Sequence, residues 1–223
     1  WAVILIPATA GVLAVLWPGR TVRRWFLLLG SLGHMAAVLD VWMVRPEPGL
    51  WLGADALGLL FLTITSVLFL AVAFYTVGAL RRESGPVTKA AEEGFLFRNR
   101  PDAVFVGCLL MFLATMSLVC LSQHLGLLWV AVEATTLASA PLISFHRHHR
   151  SLEAMWKYLL ICSVGIALAL LGTFCLAYAA QGQAVGLSLP DVVGKAALME
   201  PIWLKMAFIL MLIGYGTKMG LAP

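Results

Sequence analysis

Three ionisable side chains lie inside long apolar segments of this chain. Glu133 is near the middle of HLGLLWVAVEATTLASAPLIS, Lys157 follows in SLEAMWKYLLICSVGIALALLGTFCLAYAA, and Lys218 stands in MLIGYGTKMGLAP. A charge at the centre of a membrane helix costs about 2.5 to 3.5 kcal/mol, so such a residue usually faces a partner or an aqueous path. The pattern therefore indicates a carrier of protons or ions.

The composition is that of a polytopic membrane protein. Hydrophobic residues make up 61% of the 223 residues and charged residues only 12%, about half the charged share of a soluble domain. The chain begins on an apolar run without a basic segment, so a cleavable signal is not expected. Most basic residues lie in short connections between apolar runs, which predicts contact with the lipid bilayer and no nucleic-acid partner. The four cysteines lie in apolar runs without ligand spacing and are expected to be buried hydrophobes.

Hydropathy predicts an all-α fold with seven membrane spans of about 20 residues each. Ten basic residues lie in connections on one side and two in connections on the other. The positive-inside rule then places the N-terminus in the periplasm of a bacterium, with the chain crossing the inner membrane several times. We expect an N-terminal part, 1–101, with a periplasmic hairpin and a cytoplasmic loop, and a second part, 102–223. The predicted spans are 1–17, 22–44, 55–80, 102–121, 124–144, 151–180 and 202–222.

Two of the buried charges also have structural interpretations. On a helix, Thr136 and Ala140 share the face of Glu133, so its carboxyl could be protonated and simply bonded to a neighbouring helix. Lys157 follows Glu153 in the favourable i, i+4 order, and it lies near enough to the cytoplasmic end to extend its amine to the interface. These alternatives remain open at the level of sequence.

The last apolar run contains the residues of an interrupted helix around Lys218. Gly214, Gly216 and Gly220 surround the lysine, and Pro223 removes a backbone donor and disfavours helical geometry at the preceding residue. A discontinuous helix is tolerated at membrane depth where it lines a cavity, and its free carbonyls can hold ions or water. A packing kink is the structural alternative.

The remaining polar residues are given minor roles. Lys205, near the start of the last span, is expected to anchor it at the interface. His34 and Asp40 do not share a helical face and are interpreted as incidental or end-of-helix groups. Leu50–Leu52, after a Pro-x-Pro-Gly turn, predicts a short hairpin. The FHRHHR segment lacks a carboxylate or cysteine to complete a metal site, so a basic interfacial loop is expected.

Three stretches carry a resemblance to a known family: WVAVEATTLASAPLI, RSLEAMWKYLLICSVGIALALLGT and LIGYGTKMGLAP. They resemble the proton-conducting antiporter-type subunits, a family that includes the large membrane subunits of complex I, Mrp-type cation/proton antiporters and membrane-bound hydrogenases. The likeness is densest from His124 to Pro223 and extends back to about Gly49. It implies the N-terminal portion of an antiporter-like fold with a broken seventh helix, without the second inverted repeat.

The resemblance also implies roles. Glu133 corresponds to the glutamate of the fifth helix, Lys157 to the lysine of the sixth and Lys218 to the lysine of the broken seventh. In such proteins the Glu/Lys pair is thought to adjust the proton affinity of the next lysine. The chain carries no GxGxxG, cysteine cluster or haem attachment site. We therefore expect no cofactor or catalytic centre on it, and partners that comprise other membrane subunits and a peripheral redox module.

Three functions remain open from sequence. The chain could be a proton-pumping subunit of a hydrogenase-4-like or complex I-like enzyme, an Mrp-type sodium/proton antiporter subunit, or a non-conducting scaffold whose charges only pair. The transported ion is not encoded in three side chains that all three functions would use.

Overall fold

The computed structural model describes residues 1–82, 101–145, 149–182 and 185–221. Within these ranges, six helices are long and apolar enough to cross a membrane, and a shorter apolar helix precedes them. The predicted all-α polytopic fold is confirmed, and helix boundaries lie close to the predicted spans. The helices are α1 Ala2–Leu16, α2 Arg20–Val44, α3 Ala56–Arg82, α4 Asp102–Leu121, α5 Leu125–Ile143, α6 His149–Ala179, α7 Leu189–Gly194 and α8 Pro201–Met219, with a 3-10 turn at Ala196–Leu198.

The outward faces of the helices are apolar. Phe74 on α3 is 58% exposed, Val164 on α6 is 63% exposed and Ile209 on α8 is 55% exposed. A soluble monomer rarely presents contiguous apolar surface on this scale. Lipid offers no hydrogen-bond partners to the backbone, and a helix pairs its own N–H and C=O groups. The exposed side chains therefore fit a lipid environment.

The helices alternate in direction, so their ends fall on two sides. The C-terminal ends of α1, α3 and α5 lie on what we call the first side, and those of α2, α4 and α6 lie on the second side. On the first side, Arg23 Nε donates to Ala14 O at 3.2 Å and to Trp17 O at 2.9 Å, while Arg24 Nη2 donates to Leu80 O at 2.9 Å. These guanidinium groups bind carbonyls left free at the ends of α1 and α3.

On the second side, the segment predicted to form a hairpin pairs with the α4–α5 turn. The Gln123 N–H donates to Trp51 O at 2.9 Å, and the Gly53 N–H donates to Leu121 O at 2.9 Å. Leu52 thus forms an isolated antiparallel bridge with Ser122, in the α4–α5 turn. Within the segment itself the Gly49 N–H donates to Leu52 O at 2.8 Å, and the hairpin stays a prediction. The bridge to a distant turn is a contact that the local alternation of residues does not reveal.

The segment after α6 is attached to the same side. His124 forms an antiparallel bridge with Ser188, and the Leu125 N–H donates to Leu187 O at 3.0 Å. Ser188 caps α7, because its Oγ accepts from the Asp191 N–H at 3.3 Å, and its hydroxyl donates to Asp191 Oδ2 at 2.9 Å. The hydrogen bond from Lys195, together with that from Ser188, lowers the pKa of the Asp191 carboxyl. These contacts fix the level at which α8 begins.

α4 packs against the N-terminal helices as well as against α5. Buried side chains from α1, α2, α3 and α4 form two apolar clusters, around Leu110 and around Leu62. A third cluster joins α5, α6 and α8 around Leu176 and Ala207. α4 thus contributes to the first two clusters. The predicted division between residues 101 and 102 stays a prediction.

His34 is a buried junction between three helices, so its interpretation as an incidental or end-of-helix group was wrong. It lies within α2 and is 0% exposed. Nδ1 lies 2.9 Å from Ser66 Oγ on α3, and Nε2 lies 2.7 Å from Ser117 Oγ on α4. Ser117 donates its own proton to Leu113 O, which leaves its oxygen to accept from Nε2–H. Interhelical hydrogen bonds of this kind stabilise membrane bundles.

Candidate functional site

Glu133 lies at the centre of α5, on a face that is buried. Thr136 on the same face is 0% exposed and Ala140 is 5% exposed, as the i, i+3, i+7 pattern predicts. One carboxyl oxygen, Glu133 Oε2, is itself buried and has no hydrogen-bond partner among the described residues. A buried carboxyl oxygen without a hydrogen bond costs free energy.

The side chain of Lys218 reaches the same face of α5 from the last turn of α8. Its Nζ donates a short hydrogen bond to Thr136 Oγ1, one helical turn from Glu133. Nζ also lies 3.5 Å from Tyr158 Oη on α6 and 5.5 Å from the centroid of that ring. The structure therefore brings Lys218 and the helical face of Glu133 together, with contacts from α5, α6 and α8.

This cluster lies inside the membrane span. Tyr158 is nine residues after the start of α6 at His149, which corresponds to about 13 Å along the helix. Thr136 is seven residues before the end of α5 at Ile143, or about 10 Å. Since Lys218 contacts both residues, the end of α8 lies well below the first-side surface.

Of the four residues predicted to interrupt the last helix, two lie inside it, one lies at its end and one is not described. Gly214 and Gly216 lie within α8, which runs to Met219. Gly220 ends the helix with a φ of 81°, and the Leu221 N–H donates to Gly216 O at 3.0 Å. This is the left-handed helix end that glycine favours. Pro223 lies outside the described residues.

Gly214 allows α8 to cross α6 closely. A Cβ added at this position would lie 2.5 Å from Ala169 N and 2.6 Å from Gly165 O, both of them backbone atoms of α6. Small residues at such crossings let membrane helices approach. The close crossing brings the last turn of α8 beside Tyr158, so Gly214 helps to position the lysine one turn later.

Known proteins of one family are similar to this chain. Residues 122–223 match the family described as NADH:quinone oxidoreductase/Mrp antiporter, TM. Over 227 residues the chain is 31% identical to a hydrogenase-4 component F homolog from Methylacidiphilum infernorum (isolate V4), covering 100% of this chain and 46% of that protein. The chain belongs to the antiporter-like family of membrane subunits. It spans about half the length of this curated relative.

Two solved structures share the fold of this antiporter-like subunit. A chain of respiratory complex I from Thermus thermophilus with bound aureothin matches with a TM-score of 0.70 and 26% identity, over 97% of this chain and 43% of that one. A chain of the membrane-bound sulfane sulfur reductase, an archaeal respiratory membrane complex, matches with a TM-score of 0.74 and 16% identity. That match covers 95% of this chain and 43% of the other, and it bears on the fold alone.

Lys157 of the antiporter-like subunit is not brought to Lys218. Its side chain is 69% exposed on the outer face of α6, and Nζ lies 2.5 Å from Glu153 Oε1. The i, i+4 ion pair suggested by the sequence is therefore present. Lys205, in the first turn of α8, is also exposed, as an interfacial anchor would be.

Sequence reasoning missed Tyr158, the neighbour of Lys157 that faces the cluster. Its hydroxyl lies 2.9 Å from Ser139 Oγ on α5 in addition to its contact with Lys218. A signal was present, because Cys162 and Gly165 follow it at i+4 and i+7 and are both buried on α6. Small residues at that spacing mark the helical face that meets other helices.

Trp129 holds α5 against α6 between the cluster and the second side. Its Nε1–H donates to Ile166 O at 2.8 Å. Together with the contact between Ser139 and Tyr158, this hydrogen bond ties the two helices at separate levels. The relative position of Glu133 and Tyr158 is therefore set by two polar contacts between the same pair of helices.

Proposed function

We propose that the chain is a proton-translocating membrane subunit of a redox-driven complex. The observation that carries the proposal is the placement of the Lys218 amine, inside the span, on the helical face that holds Glu133. Membership of the antiporter-like family supports it, as does similarity to a hydrogenase-4 component F homolog and to a chain of respiratory complex I. Lys218 takes up and releases the proton in this proposal, and Glu133 adjusts its affinity.

The surroundings of Lys218 suit reversible protonation. Its described polar contacts are the neutral hydroxyls of Thr136 and Tyr158, and no described carboxylate oxygen lies within 4.0 Å of Nζ. A directly paired carboxylate would hold the proton on the amine, and no such pair is among these contacts. Glu133, one turn away, acts at a distance instead.

The size of that distant effect is sufficient for a switch. Unit charges on the order of 8 Å apart interact by about 2 kcal/mol at an effective dielectric constant near 20. Such an energy changes a protonation equilibrium about thirtyfold. Gain or loss of the negative charge on Glu133 would therefore move Lys218 between loaded and empty states.

In this proposal Lys157 adjusts the proton affinity of Lys218. Its ion pair with Glu153 lies on the exposed outer face of α6, and Lys157 is turned about 100° around the helix from Tyr158. Movement of that pair would act on Lys218 through α6 and its tyrosine. Its effect on transport should be smaller than that of Lys218.

The test is proton uptake by sealed vesicles that contain the whole assembled complex, with subunit content measured on the same preparation. We expect Lys157→Ala to lower uptake by up to about fivefold, because an exposed ion pair contributes 1 kcal/mol or less. Lys205→Ala, an exposed lysine of α8, is the matched control and should be nearly silent. Equal, large losses in both variants would contradict the assignment, and uptake that requires sodium would favour an antiporter that exchanges sodium for protons.

In the full proposal the chain lies in the inner membrane of a bacterium with its N-terminus in the periplasm. Other membrane subunits and a peripheral redox module supply the electron chemistry. The ten-to-two distribution of basic residues between connections supports the orientation.

Orientation has a direct test by cysteine labelling in a version without the native cysteines. A cysteine at Gly19, on the first side, should react only with reagent supplied from the cytoplasm. A cysteine at Gln181 should react only with reagent supplied from the periplasm. The next residue is a poorer choice, because Gly182 has a φ of 83°, where a cysteine would be strained. The reverse labelling pattern would overturn the orientation.

A further inference from the structure

Tyr158 bridges the helices that hold the two charges. Its hydroxyl lies 2.9 Å from Ser139 Oγ on α5 and 3.5 Å from Lys218 Nζ on α8, and its ring centroid lies 5.5 Å from Nζ. A phenol has one proton to donate and can also accept, so the direction of its hydrogen bonds depends on its neighbours. Here the direction follows the charge of Lys218.

With Lys218 charged, one arrangement of the hydrogen bonds gives every donor an acceptor. Ser139 donates to the backbone oxygen of Thr136 at 3.0 Å, which uses its single proton. Tyr158 must then donate to Ser139, and its free lone pairs face the ammonium group. The ring adds a cation–π attraction to the same charge.

With Lys218 neutral, the same heavy atoms support the reverse arrangement. A neutral amine has a lone pair and two protons, so it can still donate to Thr136 Oγ1 while it accepts from the Tyr158 hydroxyl. Ser139 then turns its proton from the Thr136 carbonyl to Tyr158 Oη. Rotation of two hydroxyl groups is the only change required.

The hydroxyl chain does not extend into a path for the proton. It ends on the carbonyl oxygen of Thr136, and the Thr136 hydroxyl donates to Val132 O at 3.3 Å. A backbone carbonyl cannot pass a proton on. The tyrosine therefore adjusts to the lysine rather than conducting from it.

We propose that Tyr158 is the positioning residue of Lys218, and that reversal of its hydroxyl matches the charged and neutral states of the amine. This inference rests on the proposed proton-translocating function. It attributes the effect of α6 on the Lys218 amine mainly to Tyr158 and not to Lys157. The other ionisable groups near the lysine are Glu133 on α5, Tyr215 one turn earlier on α8, and the Glu153–Lys157 pair on the outer face of α6.

The test is Tyr158→Phe in the whole complex, which keeps the ring and removes only the hydroxyl. The charged amine loses an acceptor and the neutral amine loses a weaker donor, so we expect the alkaline limb of the pH dependence of proton uptake to move down by about one pH unit, the difference between a hydrogen bond to a charged group and one between neutral groups. Ser139→Ala should move it in the same direction by less. Tyr178→Phe, an exposed tyrosine of the same helix, is the control and should leave the profile in place.

The outcomes separate this inference from the function on which it rests. If Lys218→Ala abolishes uptake while Tyr158→Phe changes neither its rate nor its pH profile, the positioning role is wrong and the function stands. A loss of rate at every pH, with reduced subunit content and no shift of the profile, would also overturn it, because that result describes packing. If Lys218→Ala leaves uptake intact, the function itself fails and this inference fails with it.

Discussion

Replacing Lys218 with alanine should reduce proton uptake at least about a hundredfold, the range lost when a positioned proton-transfer group is removed. The complex should still assemble, because the partners of the amine keep other hydrogen bonds. Thr136 donates to Val132 O, and Tyr158 can donate to Ser139. The measurement is uptake by sealed vesicles, normalised to the content of this subunit.

Arginine at the same position gives a sharper contrast. Lys218→Arg keeps the positive charge but replaces the amine with a group that does not lose its proton in proteins. We expect uptake to remain as low as in Lys218→Ala. A scaffold whose charges only pair predicts the opposite, since the retained charge would restore assembly and whatever activity depends on it. Recovery of uptake in Lys218→Arg would therefore exclude proton release by Lys218.

Glu133→Gln is expected to lower uptake about tenfold or more, from the roughly thirtyfold electrostatic effect of its charge on the lysine equilibrium. Glutamine matches the size of glutamate and can bond to the same neighbours, so subunit content should stay at the parental level. Glu47→Gln, which removes an exposed carboxylate in the α2–α3 connection, is the matched control. It should leave uptake unchanged.

Two results would count against the role of Glu133. Parental uptake by well-assembled Glu133→Gln complexes would show that its charge does not act on Lys218. Lost subunit content, with parental uptake per remaining complex, would support the scaffold, because removing one partner of a buried pair leaves the other charge unpaired. Measuring content and uptake on one preparation distinguishes the two.

The amino-acid sequence by itself determined the spans, the helical face of Glu133 and the ion pair of Lys157. Twenty-residue apolar runs can satisfy their backbone in lipid only as helices, so hydropathy was enough to place α2 to α6 and α8. Helical periodicity also predicted correctly that Thr136 and Ala140 share the buried face of Glu133. The i, i+4 pair of Glu153 and Lys157 followed from the same rule. Each of these features depends on residues within one helix.

Only the tertiary structure decided which helices meet. Periodicity assigns a residue to a face but does not say what lies opposite, so the junction of His34 with Ser66 and Ser117 could not be inferred. The same limit concealed Tyr158, whose neighbour Lys157 carries the more conspicuous charge yet points outward. A rotation of about 100° between consecutive helical residues separates the two.

The depth of the last helix end was also a tertiary result. The sequence placed glycines around Lys218, but their roles depend on the distance to α6. Gly214 admits the backbone of α6 at a separation that a Cβ would block, while Gly220 ends the helix. The side chain of Lys218 spans the remaining gap to α5 because the crossing at Gly214 holds α8 against α6. The sequence identified Lys218 as a candidate, but contacts between helices far apart in sequence set the position of its amine.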